Sequence, residues 1–116
     1  MNDDKPVVWL WTEVSSPPLS RAARLEAGFL LRMLQAGERL GMPQSRSMSS
    51  IGRRCHELRI NDGTVTWRII YRIDEDAIVV VHVFSKKSRR TPRNVLELCR
   101  RRLQRYDETR NEDEAD

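Results

Sequence analysis

Thiols and imidazoles are scarce in this chain of 116 residues, which holds two cysteines, Cys55 and Cys99, and two histidines, His56 and His82. A structural zinc site takes about four N, S or O ligands at short recurrent spacings, and these four residues show no such spacing. No metal and no cofactor is therefore expected, and two cysteines make no disulfide framework; buried or structural thiols are the better reading. Long apolar runs are missing too. Nothing approaches the ~20 residues that span a bilayer, so no membrane role is expected. The N-terminus starts acidic and reaches only the short run Val7 to Trp11, unlike a signal peptide. A cytoplasmic protein with reduced thiols is the expectation. There is no internal repeat and no linker, which leaves one domain over residues 1–106, followed at 107–116 by an acidic tail too polar to bury anything and expected to be disordered.

Negative charge is unevenly spread. The net charge is +4, yet residues 107–116 hold six acids and one Arg, a net of −5, so residues 1–106 carry +9. A small domain with that excess favours anionic partners: nucleic acid, an acidic protein, or a membrane surface as the weakest of the three.

The stretch from His56 to Pro92 organises the chain. Three β-rich runs, His56–Asn61, Val65–Ile73 and Ala77–Phe84, are separated by Asp62-Gly63 and by Asp74-Glu75-Asp76. Asp-Gly between β-branched and aromatic runs is a strong hairpin signal, so the pattern predicts an antiparallel meander. Alternation assigns faces. Leu58 and Ile60 share one, with Glu57 and Arg59 opposite. Val65, Trp67, Ile69, Tyr71 and Ile73 lie opposite Thr66, Arg68, Ile70 and Arg72. In the third run, Ile78, Val80, His82 and Phe84 alternate with Val79, Val81 and Val83. One face should pack under helices. The other should gather Arg59 and Arg68, with His82 as a further candidate, then Lys86, Lys87, Arg89 and Arg90 from the loop beyond, as a phosphodiester backbone would need. Trp67 and Tyr71 fall on the core side.

Upstream, Val7–Thr12 reads as a fourth strand. Ser16 caps and Pro17-Pro18 opens a helical stretch from Leu19 to Leu40, either one helix or two broken near Gly28, ending at Gly37 or Gly41. Its expected core stripe is Ala22, Leu25, Phe29, Met33, Ala36 and Leu40, with Leu30 and Leu34 beside it. Gly41–Gly52 reads as a polar loop leading to Arg53 and Arg54. Thr91 caps a last helix that runs from Pro92 to about Tyr106. Val95, Leu96, Cys99, Leu103 and Tyr106 form its apolar side; Arg93, Arg100, Arg101, Arg102 and Arg105 form its wet side. The fold class is α+β: a small twisted antiparallel sheet of about four strands, an N-terminal helical layer and a C-terminal helix.

The runs GRRCHELRIND, TWRIIYRI, VFSKKSRRTP and RRLQRYD resemble the RelE/ParE superfamily of toxins from toxin–antitoxin systems, nearest to its phage-derived, Gp49-like group that includes HigB-type toxins. The upstream pieces WLWTEV, PPLS and LEAGFLLRMLQAGERLGMPQSR fit the same pattern, so the resemblance spans Val7 to Asp107. It implies the fold just described and one of two activities. RelE-like and HigB-like toxins cleave mRNA in the ribosomal A site, whereas ParE-like toxins poison DNA gyrase without being enzymes. It also implies a cognate antitoxin, usually a helix-turn-helix protein for HigB-like toxins. A homodimer is left open, as is an inactive relic.

Cleavage of RNA without a metal requires that the 2′-OH be deprotonated, that charge on the phosphoryl oxygens be stabilised, and that the 5′-oxygen be protonated. Arg68 is the first candidate for the scissile phosphate, because a planar guanidinium grips two oxygens. Arg59, one strand over, is second. Lys86 and Lys87 could supply charge or a base. His82 and His56 could move protons, though each also reads as a half-buried sheet residue. Arg53, Arg54, Arg89 and Arg90 would hold the RNA backbone. Glu57 reads as a simple ion pair to Arg59. The chain lacks an obvious His–carboxylate pair.

Overall fold

A computed structural model describes residues 4–10, 19–85 and 90–115. Among these, the chain folds as β1 (Val7–Trp9), α1 (Arg21–Gln35), β2 (Ser45–Ser47), β3 (Cys55–Asp62), β4 (Val65–Ile73), β5 (Ile78–Ser85) and α2 (Arg93–Ala115). The five strands form one sheet in the order β1-β5-β4-β3-β2. The β2–β3–β4–β5 pairings are antiparallel, and β1 lies parallel to β5, with Val7 opposite Ile78. The sheet is therefore mixed, with one strand more than expected.

The meander forms where alternation placed it. The β3–β4 register runs unbroken from Cys55↔Arg72 to Asp62↔Val65, which puts Gly63 and Thr64 in the two-residue turn, one position later than expected. Gly63 takes φ +63°, a left-handed conformation that a Cβ disfavours. The extra strand, β2, lies in the segment read as a loop. Three residues, Ser-Arg-Ser, carry no apolar period. Ser45 Oγ hydrogen-bonds Tyr71 Oη across the buried interior at 2.6 Å, and that contact fixes the pairing.

The third run departs from simple alternation. Ile70 pairs with His82 but Tyr71 pairs with Val80, so Val81 is an extra residue in β5. Such a bulge shifts every later side chain to the opposite face. His82 and Phe84, expected beside Ile78 and Val80, instead share a face with Ile70 and Arg68. A run of valines offers no local marker for that step.

Two cores result. On one side Ala23, Ala27, Leu30, Leu31 and Leu34 of α1 pack on Leu58, Ile60, Trp67, Ile69, Tyr71, Ile78 and Val80. On the other, Cys99 and Leu103 of α2 pack on Met48, Ile51, Cys55, Ile70, Val79 and Val81, with Val95, Leu96, Phe84 and Tyr106 at the margin. Each fully buried Leu or Ile contributes about 1.5–3 kcal/mol. Trp67 and Tyr71 are core residues, as expected.

The helices differ from expectation in extent and facing. Ser16 and Pro17-Pro18 lie outside the described residues; the helix begins at Arg21 with Ser20 as cap, its Oγ accepting from the Ala23 N–H at 3.1 Å. It runs unbroken through Gly28 and stops at Gln35. There Gly37 (φ +91°) donates to Leu34 O and Glu38 donates to Met33 O, a Schellman closure. The buried stripe is the Ala23–Leu34 set. Of the expected stripe, Ala22, Ala36, Leu25 (61% exposed) and Phe29 (60%) face outward, whereas Met33 and Leu40 are half-buried against this core. Small Ala23 and Ala27 let the backbone approach the sheet closely while three leucines fill the interface.

In α2 the first bonds run from Val95 and Leu96 to Pro92 O, so the helix starts one residue later than expected. At the other end it does not stop at Tyr106 but continues to Ala115. Arg72 grips Asp74 through Nε (2.7 Å) and Nη2 (2.8 Å), and Asp107 through Nη1 (3.0 Å) and Nη2 (2.7 Å). Arg110 bonds Asp76 in the β4–β5 turn. Tyr106 lies between Arg72 and Arg110, each guanidinium within 5.9 Å of its ring centre. The acids from Asp107 to Glu114, read as a free tail, are thus helical, and the first of them is tied to the sheet. Among the described residues no helix is long and apolar enough to cross a membrane.

A cationic face on the α2 side of the sheet

The strand registers build two rows of side chains across this face. One row is Arg46 (β2), Glu57 (β3), Ile70 (β4) and His82 (β5). The next is Arg59 (β3), Arg68 (β4) and Phe84 (β5). Neighbouring rows lie about 7 Å apart along the strands. The face thus joins residues from four strands, three of them arginines.

Glu57 sits at the centre and is completely buried. Its Oε1 lies 3.4 Å from Arg46 Nε and 3.8 Å from Arg68 Nη1, and its Oε2 accepts from Thr91 Oγ1 at 3.4 Å. The expected pairing with Arg59 is replaced by Arg46 and Arg68, because β2 brings Arg46 directly opposite Glu57. Two guanidiniums therefore flank one carboxylate, with that of Arg59 in the next row, leaving a local excess of about two positive charges.

Arg68 is only 5% exposed. Its Nε and Nη1 are buried without a hydrogen-bond partner among the described residues, since the contact to Glu57 is too long for one. Burial lowers the pKa of the guanidinium; Glu57 opposes the shift, and Arg59 and Arg46 add to it. An arginine stays protonated even so, so this is a desolvated cation with unused donors. Arg59 is half-buried, and its guanidinium has no hydrogen-bond or ion-pair partner among the described residues.

His82 arrives on this face through the bulge. Its ring stacks on Phe84 with centroids 5.5 Å apart. Arg102 Nη1 donates to His82 Nδ1 at 3.0 Å and to Val81 O at 2.8 Å. An arginine can only donate, so Nδ1 is the acceptor and a neutral ring carries its proton on Nε2. Arg102, read as part of the wet side of the last helix, is instead half-buried against β5. His56 is on the other face, stacked on Tyr71 at 5.3 Å, where burial lowers its pKa.

The remaining candidates divide. Lys86, Lys87 and Arg89 lie outside the described residues; they follow Ser85, which pairs with Trp67 at the end of β5. Arg90 is exposed just before α2. Arg53 and Arg54 are exposed at the start of β3, and Arg54 is roughly 17 Å along the strand from Arg59. Arg54 lies 3.8 Å from Asp74 and borders an open cleft of about 620 Å³ that also holds Arg72, Glu75, Asp76, Asp107 and Arg110. Acids outnumber bases in that cleft, so it does not suit a polyanion. The structure therefore brings Arg59, Arg68 and His82 together and leaves Arg53 and Arg54 apart.

Arg46, Thr91, Phe84 and Arg102 were not singled out by sequence. Arg46 sits in a segment with no strand period, Thr91 reads as a cap, Phe84 reads as core, and Arg102 sits among five other helix arginines. Cys55 of β3 and Cys99 of α2 are both buried in the core between that helix and the sheet. Burial pushes both thiols up, Cys99 to about 12, so neither is a ready nucleophile. Among the described residues no cluster of three or more His, Cys, Asp or Glu could hold a metal ion.

Searches of curated proteins and of solved structures find no match to this chain. Residues 18–104, which contain α1, the whole antiparallel meander and the cationic rows, match the family described as phage-derived protein Gp49-like (DUF891). The match covers well over half of the chain, and the chain belongs to that Gp49-like family, part of the RelE/ParE-like toxin group.

Proposed function

We propose that this protein is the toxin of a type II toxin–antitoxin pair, and that it acts as a ribosome-dependent mRNA endoribonuclease through the cationic face. The observation that carries this reading is Arg68: a nearly buried guanidinium with two donors unmatched among the described residues, beside half-open Arg59. A phosphoryl group seated over the second row would meet Arg59 first and draw on Arg68 behind it. Cations aimed at developing charge in a shielded site are worth about 3–4 kcal/mol each. In the reaction the 2′-oxygen bonds to phosphorus, the P–O5′ bond breaks, and the proton lost by the 2′-OH is balanced by one gained at the 5′-oxygen. His82, its Nδ1 taken by Arg102, is proposed to hydrogen-bond the leaving 5′-oxygen through Nε2–H, with the proton itself coming from Lys86 or Lys87 or from solvent. Glu57, wholly buried, holds Arg46 and Arg68 in place and does not reach a substrate. Lys86 and Lys87 are proposed for added charge or the base. Arg89 and Arg90 are proposed for the backbone farther along. A cytoplasmic location and a helix-turn-helix antitoxin belong to the same proposal.

A second reading, a non-enzymatic inhibitor of a protein target such as DNA gyrase, draws on one observation. Among the described residues no proton acceptor stands open on this face, because Glu57 is buried and His82 Nδ1 is taken by Arg102. Induced expression followed by primer extension on cellular mRNA separates the two. Codon-phased cuts that vanish with Arg59→Ala and Arg68→Ala support the ribonuclease. Intact mRNA with broken chromosomes in arrested cells supports the inhibitor. Undiminished cleavage by a stable Arg68→Ala protein would overturn the role given to the second row.

A further inference from the structure

Helix α1 is apolar on two sides. The sheet covers the stripe from Ala23 to Leu34, with Met33 half-buried at its margin. The opposite stripe, Ala22, Leu25, Phe29 and Ala36, is spaced three, four and seven residues apart, and all four side chains are exposed. Trp9, on the same side of the sheet, is 52% exposed. The helix is amphipathic, with its polar residues beside this second row, yet Leu25 and Phe29 stand one turn apart on the outward face, and among the described residues no second layer covers them. Singly exposed apolar side chains are ordinary; a periodic row containing a Phe and a Leu, each about 60% open, is the pattern of a helix-docking ridge.

The charge around the ridge indicates what fits it. Arg21 lies one turn before Leu25 and Arg32 three residues after Phe29, so both share the ridge face, and Arg24 continues the same flank. All three are exposed; Glu26 is the single acid within the helix. We propose that this face docks an amphipathic helix of a partner protein, with an apolar stripe over Leu25 and Phe29 and acidic residues facing Arg21, Arg24 and Arg32. A second copy of this chain fits less well, because antiparallel self-pairing sets the arginine flank against itself. The ridge lies on the opposite side of the sheet from Arg59 and Arg68. A helix seated there leaves the cationic face uncovered, so protein and RNA can bind together. This inference does not depend on which activity the cationic face carries.

The test uses the full chain and a fluorescein-labelled designed helix with leucines at three- and four-residue spacing and glutamates on its flanks. Polarisation should show saturable binding that weakens at least about tenfold in Phe29→Ala and Leu25→Ala, and when the peptide's glutamates become lysines. Both side chains are exposed, so circular dichroism should match the parent. Addition of a single-stranded RNA should leave the peptide's affinity unchanged. Binding that ignores Phe29→Ala, equal binding of the glutamate and lysine peptides, or competition by RNA would overturn the proposal. So would a stable homodimer in light scattering that Phe29→Glu converts to monomer.

Discussion

Replacing Glu57 with Gln tests the electrostatics of the cationic face most directly. The substitution keeps shape and removes one charge from a site with no solvent access. Arg46 and Arg68 lose their shared carboxylate, and Arg68, nearly buried with Arg59 opposite it, keeps no countercharge among the described residues. Breaking a buried pair from one side costs about 3–5 kcal/mol, because a charge is left desolvated. Against total stabilities of roughly 5–15 kcal/mol, that is a large fraction. Urea unfolding followed by tryptophan fluorescence should show the midpoint falling at unchanged slope. Arg68→Met removes the stranded cation, so the double variant Glu57→Gln/Arg68→Met should recover part of the loss, with a coupling of about 1–3 kcal/mol. RNA binding should move the other way. With one acid fewer, nonspecific affinity rises in Glu57→Gln and its salt dependence steepens. A cost below about 1 kcal/mol, or a double variant additive within about 0.5 kcal/mol, would refute the claim that Glu57 balances these guanidiniums.

Three other expectations concern the frame around that face. Arg72's hydrogen bonds hold the Asp107 carboxyl below the usual carboxylate range, so its stabilisation is present above the unfolded pKa of about 3.9 and is lost as pH falls through the lower folded value. Asp107→Asn should therefore flatten the acid limb of stability below about pH 4. Its cost at neutral pH should be no more than about 1 kcal/mol, because the Asp107 side chain is 49% exposed. Gly37→Ala meets no atom within 4 Å, so its cost of about 1 kcal/mol should be purely conformational, from φ +91°, and measurable by thermal unfolding. Ser20→Ala removes the cap from Ala23 N–H and should cost about 1 kcal/mol in the same assay.

The parts legible in the sequence are those whose signals are local. Asp62-Gly63 and the period-two runs on either side specify β3 and β4, and alternation alone sets Arg59 and Arg68 on one side, away from Trp67 and Tyr71. The α2 stripe of Val95, Cys99 and Leu103 is equally plain. What escaped is decided by distant partners. β2 exists because Ser45 meets Tyr71 and Arg46 meets Glu57, and nothing in Ser-Arg-Ser announces either. The bulge at Val81 hides in a valine run that is apolar on both faces, and it alone moves His82 beside Arg68. The facing of α1 was ambiguous because two stripes satisfy the same period, and only the sheet chooses between them. The last turns of α2 looked unable to pack, yet Arg72, far back in the chain, supplies their anchor.

The parallel pairing of β1 with β5 has a consequence for how the chain is made. Val7 leaves the ribosome early, but its hydrogen-bonding neighbour Ile78 emerges only after the whole hairpin region has been synthesised. The leading strand must wait, its valines and Trp9 unshielded, until the meander has closed. Long-range closures of this kind come late, after local hairpins have formed. Conservative substitutions at Val7 and Val8 should then speed unfolding while barely slowing folding, marking the final stitch rather than the nucleus.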